Sequence, residues 1–196
     1  MPNDRSRDRR VQRTRGLLHE ALGSLIHEKS YDAIVVKEIL GRANVGRSTF
    51  YAHFRDKDEL LVSGIHEMLR AGATAGVPGA TDRYDGILRF SLPIFEHIER
   101  RRGAGDSMVH PRGQPVVHER LQLVLAELVA ADLGRAGRGS AGRGYRMPLD
   151  LLARHVASTF VLVLNWWTES TDPLPSAQVN DLFRALVLPT LAKALD

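Results

Sequence analysis

Cysteine is absent from all 196 residues. That excludes disulfides, thiolate zinc sites and a cysteine nucleophile together, and a chain without thiols fits a reducing compartment. Lysine is scarce, with 4 Lys against 23 Arg, a bias that reflects genome composition as much as a binding surface. Strand signals are nearly missing: Ile34-Val35-Val36 is the one β-branched run, too short and without a second run to pair with. Long apolar runs are missing too. Val156 to Trp167 is interrupted by Ser158, Thr159 and Asn165 and falls short of the ~20 residues a membrane span needs. The charged start, Met1 to Arg10, has no apolar stretch behind it to make a signal peptide. A soluble, cytoplasmic protein with no membrane partner is expected. The composition, 43% hydrophobic and 26% charged, suits an ordinary globular chain and argues against wholesale disorder.

What the chain does have is positive charge gathered at one end. Residues 1–55 hold 11 Lys and Arg against 6 Asp and Glu, a net of +5, while residues 56–196 hold 16 against 17, a net of −1. A polyanionic partner for the first quarter of the chain is the natural inference.

Periodicity is helical nearly throughout, so the predicted fold class is all-α. Leu18, Ala21, Leu22 and Leu25 mark a first helix ending near Lys29-Ser30. Two short helices follow, Val36 to Ala43 and Arg47 to Phe54, joined by Asn44-Val45-Gly46. A longer one opens at Asp56-Lys57-Asp58-Glu59, whose acidic residues suit the positive end of the helix dipole. Ala71 to Pro78 is rich in small residues and marks a boundary. The predicted domains are 1–72, with residues 1–10 as a flexible basic arm, and 73–196. The second contains helices over Tyr84–Arg101, kinked at Pro93, Gln114–Leu133, Pro148–Thr171 and Ser176–Leu188. A Gly/Arg-rich flexible loop is expected at 134–147. Its Gly137-x-Gly139-x-x-Gly142 has no strand before it and is not read as a dinucleotide site. His110, His118 and His155 form no metal-ligand pattern, and no catalytic arrangement stands out. No metal, no cofactor and no enzymatic activity are expected.

The stretch Val36 to Lys57 carries the function. Two short helices on a three-residue turn are the helix-turn-helix unit, which sets its second helix into the major groove of DNA. Ala43 is small enough for close helix crossing, and Asn44 tolerates the left-handed backbone of a helix end. Val45 is apolar inside a turn and should be buried. Phe50 and Phe54 share the core face, leaving Ser48, Ala52 and Arg55 opposite, with Thr49 and Tyr51 at the flanks. Hydroxyls, a cation and a tyrosine suit phosphates and base edges.

The run Ile39-Leu40-x-x-Ala43-Asn44-Val45-Gly46-x-Ser48-Thr49-Phe50-Tyr51-x-His53-Phe54-x-x-Lys57-x-Glu59-Leu60-Leu61 resembles the DNA-binding domain of the tetracycline-repressor (TetR/AcrR) family of bacterial transcription regulators. The resemblance covers roughly residues 10–60. It implies that Arg47, Ser48 and Ala52 read base edges, that Lys37 contacts a guanine, and that Thr49, Tyr51, His53 and Lys57 touch the phosphate backbone. Three residues depart from the pattern. Val35 replaces a capping Thr or Ser, although Glu38 keeps the other half of the capping box; Gly46 replaces Ser, and Asn44 replaces Gly.

The same resemblance implies a C-terminal ligand-binding and dimerisation domain. Leu152, Val156, Val163, Trp167, Val179, Leu182, Phe183 and Leu186 are then the expected homodimer interface. Phe90, Phe95, Met108, Val124, Leu128 and Phe160 are the expected lining of a pocket for a small, largely apolar ligand. Whether Trp166 and Trp167 face pocket or interface stays open. The function expected is a ligand-responsive repressor, binding double-stranded DNA as a homodimer on a near-palindromic operator. An activator of the same family is one alternative. A helical small-molecule-binding protein or enzyme that does not touch DNA is another.

Overall fold

The computed structural model describes residues 3–74, 84–103, 114–137 and 147–195. Among them there is no strand, and the chain is all-α. Helices α1 (Asn3–Glu28), α2 (Val36–Ala43), α3 (Arg47–Tyr51) and α4 (Lys57–Thr74) come first. They are followed by α5 (Asp85–Leu88), α6 (Ser91–Gly103), α7 (Gln114–Gly137), α8 (Leu149–Glu169) and α9 (Ser176–Leu195). Two compact units divide the chain. One is built from the helices up to Ile65, the other from those beyond it, with α7 counted in the second from His118 on.

The first unit closes over Leu18, Leu22, Leu25, Ile34, Ile39, Phe50, Phe54 and Leu60, all buried. Leu18, Leu22, Leu25, Phe50 and Phe54 are among the positions that the helical spacing assigned to the apolar face; Ile34, Ile39 and Leu60 are not. Arg42 ties α2 to α1 with a bidentate pair to Glu28 (2.5 and 2.8 Å) and a bond to the Ser24 hydroxyl at 2.6 Å. α1 begins at Asn3, so the basic segment expected as a flexible arm is helical. Arginine is a good helix former.

The second unit is built around α6, α8 and α9. Phe90, Phe95, Phe160 and Phe183 form one aromatic cluster, with ring centroids 4.8 Å apart for Phe95 and Phe160 and 5.3 Å for Phe160 and Phe183. A buried hydrogen bond from the Ser91 hydroxyl to Asn180 Oδ1 (2.7 Å) links α6 to α9. Two expectations about helix limits change. The single helix expected over 84–101 is broken into α5 and α6, and Pro93 falls in the first turn of α6, where its missing N–H costs nothing. In place of a kink the chain starts a new helix. α7 runs to Gly137, so the first residues of the expected 134–147 loop are helical, and 138–146 lie outside the described residues.

Candidate nucleic-acid interface

The turn between α2 and α3 is built by the backbone. Asn44 has φ 51° and ψ 46°, the left-handed conformation that a short polar side chain tolerates. Its N–H donates to Gly41 O (3.4 Å), and the Val45 N–H donates to Leu40 O at 3.1 Å. Together these satisfy the last carbonyls of α2 in a Schellman closure. Val45 is half-buried rather than fully covered.

α2 starts without a side-chain cap, since Val35 has no acceptor. The Glu38 carboxylate compensates, taking the Val35 N–H at 3.1 Å and the Lys29 ammonium at 2.5 Å. Those bonds hold the Glu38 carboxyl below the usual carboxylate range, the Lys29 ammonium contributing most. α3 starts at Gly46 with no side-chain cap either. Its end is continued by the Phe54 N–H on Phe50 O (2.9 Å).

Burial then sorts the face of α3. Phe50 and Phe54 are 0% and 2% exposed, packed against each other and, through Phe54, against His19 and the Arg15 guanidinium. Arg15 also donates to the Ser63 hydroxyl at 2.6 Å, tying α1 to α4. Arg47, Ser48, Thr49, Tyr51 and Ala52 are all exposed, as is Lys37 on α2. His53 is half-buried, and the Arg47 guanidinium lies over the Tyr51 ring, 5.6 Å from its centroid. Lys57 is half-buried like His53, so all eight residues expected at DNA reach solvent on this unit.

Lys57 is also bonded within the chain. Its ammonium donates to Tyr31 O (2.8 Å), Ile34 O (2.9 Å) and Asp32 O (3.3 Å), and lies 4.6 Å from the Tyr31 ring centroid. An ammonium has three protons, and three backbone carbonyls receive them. At the start of α4, Asp56 Oδ1 accepts the Glu59 N–H (2.7 Å) while Glu59 accepts the Arg55 N–H (2.7 Å). That cap engages Arg55, which the helical spacing had placed on the groove face.

In the second unit the expected interface needs correction. Leu152, Val156, Val163, Trp167, Val179 and Phe183 are buried inside the chain itself and have no surface to offer a partner. Only Leu182 and Leu186 of that set are exposed. α8 is apolar on most faces, so spacing alone could not say which seam turns inward. The exposed apolar side chains of α8 are instead Leu151, Leu162 and Trp166, the last two 64% and 51% exposed. The two tryptophans part company: Trp167 is buried, donating from its indole to Leu174 O at 2.8 Å, and Trp166 is on the surface.

Among the residues expected at a ligand, Phe90, Phe95 and Phe160 pack on one another in the aromatic cluster, Val124 is buried and Leu128 half-buried. Met108 lies outside the described residues. Two contacts had no signal in the sequence. Arg102 donates to the carbonyls of Trp167 (3.2 Å) and Thr168 (3.1 Å) and stacks on the Trp167 ring, closing the negative end of α8. Glu99 accepts both the N–H (3.0 Å) and the hydroxyl (2.6 Å) of Ser176, capping α9 from a helix 77 positions away. Among the described residues no group of three or more His, Asp or Glu is placed to hold a metal, and no helix is long and apolar enough to cross a membrane.

Residues 18–63 match the family described as "Bacterial regulatory proteins, tetR family". Over 55 residues, 28% of this chain, the sequence is 44% identical to an "Uncharacterized HTH-type transcriptional regulator YxbF" of Bacillus subtilis (strain 168), of whose length that match covers 14%. A solved TetR transcriptional regulator from Streptococcus agalactiae 2603V superposes with a TM-score of 0.55 at 23% identity, over 94% of this chain and 99% of that one. RolR, solved in complex with the ligand resorcinol, gives 0.51 at 20% identity over 93% and 89%. At these identities the likeness to the solved structures is one of fold. Residues 18–63 thus match the helix-turn-helix domain of the tetR family of bacterial regulatory proteins, and the chain as a whole shares its all-helical fold with solved regulators.

Proposed function

We propose that the chain is a sequence-specific, DNA-binding transcriptional regulator that works as a ligand-responsive repressor. The observation that carries this reading is the sorting of α3, with Phe50 and Phe54 buried and Arg47, Ser48 and Ala52 exposed on a basic unit. In this reading Arg47, Ser48 and Ala52 meet base edges, with Arg47 able to bond a guanine bidentately. Lys37 reaches a neighbouring base, and Thr49, Tyr51 and His53 fix the register on phosphates. The work is intracellular because the DNA is.

The protein acts as a homodimer, each copy placing one α3 in the major groove of a near-palindromic operator. Half-sites are then spaced by about 34–36 Å or a larger helical-turn multiple. The face that supports this pairing is the stripe of Leu151, Leu162 and Trp166 on α8 with Leu182 and Leu186 on α9. Exposed apolar side chains gathered on adjacent helices call for cover. The ligand is a small, largely apolar molecule taken up beside the Phe90, Phe95 and Phe160 cluster. That RolR holds resorcinol supports a small aromatic compound. Ligand binding shifts the population towards a half-site spacing that no longer fits both grooves.

A competition gel shift at two salt concentrations tests the DNA reading. Duplex binding should weaken steeply with salt, as counterion release requires. Absence of salt-dependent duplex binding would return the chain to the class of helical small-molecule binders.

A further inference from the structure

We propose that the stretch of α1 ahead of Leu18 is a second DNA-binding element, whose Arg9, Arg10 and Arg13 pair with backbone phosphates outside the bases that α3 reads. The proposal rests on the DNA-binding reading above.

The positive charge of the first unit is not on its helix-turn-helix. Residues 18–63, the segment that matches the family, hold 6 Lys and Arg against 7 Asp and Glu, a net of −1. Residues 3–17 hold 6 Arg against 2 Asp, a net of +4. Within 18–63, Lys29 pairs with Glu38, Arg42 with Glu28 and Arg55 with Glu59. Lys37, Arg47 and Lys57 carry the charge left to meet a polyanion, on a segment with no net attraction for one. Affinity for DNA owes much of its strength to neutralised phosphates, and α1 supplies the further cations.

The stretch is placed for this. α1 is continuous from Asn3 to Glu28 and is held to the unit at Arg15. That guanidinium lies 5.0 Å from the centre of the Phe54 ring and donates to the Ser63 hydroxyl at 2.6 Å. Phe54 follows the end of α3 and neighbours His53, their ring centroids 6.4 Å apart. The turns of α1 before Arg15 therefore leave the unit beside the His53 end of α3. At about 1.5 Å per residue, Arg13, Arg10 and Arg9 stand about 3 to 9 Å beyond Arg15 along the helix. All three are exposed. At about 100° per residue they fall within about 100° of one another, on the side away from the buried Leu18 and Leu22. A helix presents such a face at a lower ordering cost than a loose tail does.

The test uses the full-length protein and two duplexes. One is the motif that the wild type selects from a random pool, trimmed to its ends; the other adds one helical turn of about ten base pairs on each side. The wild type should bind the longer duplex about tenfold more tightly, with a steeper fall of log affinity against log salt. The combined variant Arg9→Gln, Arg10→Gln, Arg13→Gln keeps a good helix former at each position. It should enrich the same motif, bind both duplexes alike, and lose about 0.9 from the salt slope for each phosphate contact removed. Arg13→Gln alone should show about a third of that loss, with the helical circular dichroism unchanged.

A combined variant that keeps the wild-type slope and the preference for the longer duplex overturns the proposal. Enrichment of a different motif by the variant overturns it too, because the arginines would then belong to base edges. Binding to phosphatidylserine vesicles by the wild type and not the variant, with equal duplex affinities, would give the stretch to a lipid surface instead. A wild type that binds no duplex in a salt-dependent way sinks the DNA reading and this role together. Salt-dependent binding that ignores both the flanks and the three arginines sinks this role alone.

Discussion

Arg47 and Tyr51 lie one turn apart on α3, and the guanidinium of the first rests over the ring of the second at 5.6 Å. Both are exposed, so the pair forms a surface platform: the ring fixes the plane of a cation that would otherwise sample many rotamers. For a base-reading arginine that is preorganisation, since a fork held in one plane loses less freedom when it bonds a guanine edge.

Arg47→Ala should relax base preference at one position of each half-site, by about 1–3 kcal/mol of discrimination. Tyr51→Phe keeps the platform and should preserve the motif while weakening binding slightly on every sequence. Tyr51→Ala should do both, weakening binding and blurring the position read by Arg47. Binding profiles over a mutated operator series separate the three. An Arg47→Ala profile identical to wild type contradicts the assignment.

Asn44 is the one described non-glycine residue with positive φ. Asn44→Val should cost about 1–2 kcal/mol, the penalty of a branched side chain in left-handed backbone. Asn44→Gly should stay near wild type, because relief of residual strain and loss of chain entropy oppose each other. Urea unfolding measures both, and an Asn44→Val midpoint equal to wild type would contradict the turn geometry.

Neighbouring residues of α8 should separate assembly from folding. Leu162 is exposed and Val163 buried. Leu162→Glu should leave the helical circular dichroism intact and dissociate the dimer in sedimentation. Val163→Glu should unfold the second unit, an unpaired buried charge costing about several kcal/mol. A Leu162→Glu variant that keeps the wild-type assembly would place the interface elsewhere.

Glu99 gives a pH prediction with a definite sign. The Ser176 hydroxyl and N–H hold its carboxyl below the ordinary value of 4.5. The unfolded chain therefore binds the proton more readily. The stability supplied by the ionised group is present above about pH 4.5 and is lost as pH falls through the folded value. Glu99→Gln should lower the midpoint of thermal unfolding at pH 7 and lower it less at pH 3. Equal losses at both would show that charge is not what caps α9. His118 runs in the same direction for a different reason: burial lowers its pKa from 6.5, against a smaller opposing pull from Glu169. It folds neutral, and it withdraws stability as pH drops below about 6.5.

What the sequence disclosed, and what it hid, follows from the range of the forces involved. The helix-turn-helix was legible because its determinants are local. Asn44 could be assigned to left-handed backbone, and Phe50 and Phe54 to the core, from spacing alone. The bonds of Lys57 to the carbonyls of Tyr31, Asp32 and Ile34 were hidden because those partners lie 23 to 26 positions away, beyond any periodicity. The cap of Glu99 on Ser176 is hidden for the same reason. The seam of α8 failed differently. Its apolar residues occupy most faces, so spacing fits Leu152-Val156-Val163-Trp167 as well as Leu151-Leu162-Trp166, and only packing against α9 decides which is inside.

The central claim is that the exposed face of α3 reads a specific DNA sequence. Selection of bound duplexes from a random pool, run on the wild type and on Arg47→Ala, tests it most directly. The account predicts enrichment of one near-palindromic motif by the wild type, bound by two copies of the chain, and a degenerate position in each half-site for Arg47→Ala. A pool without enrichment after repeated rounds, or one motif enriched equally by both proteins, would contradict it.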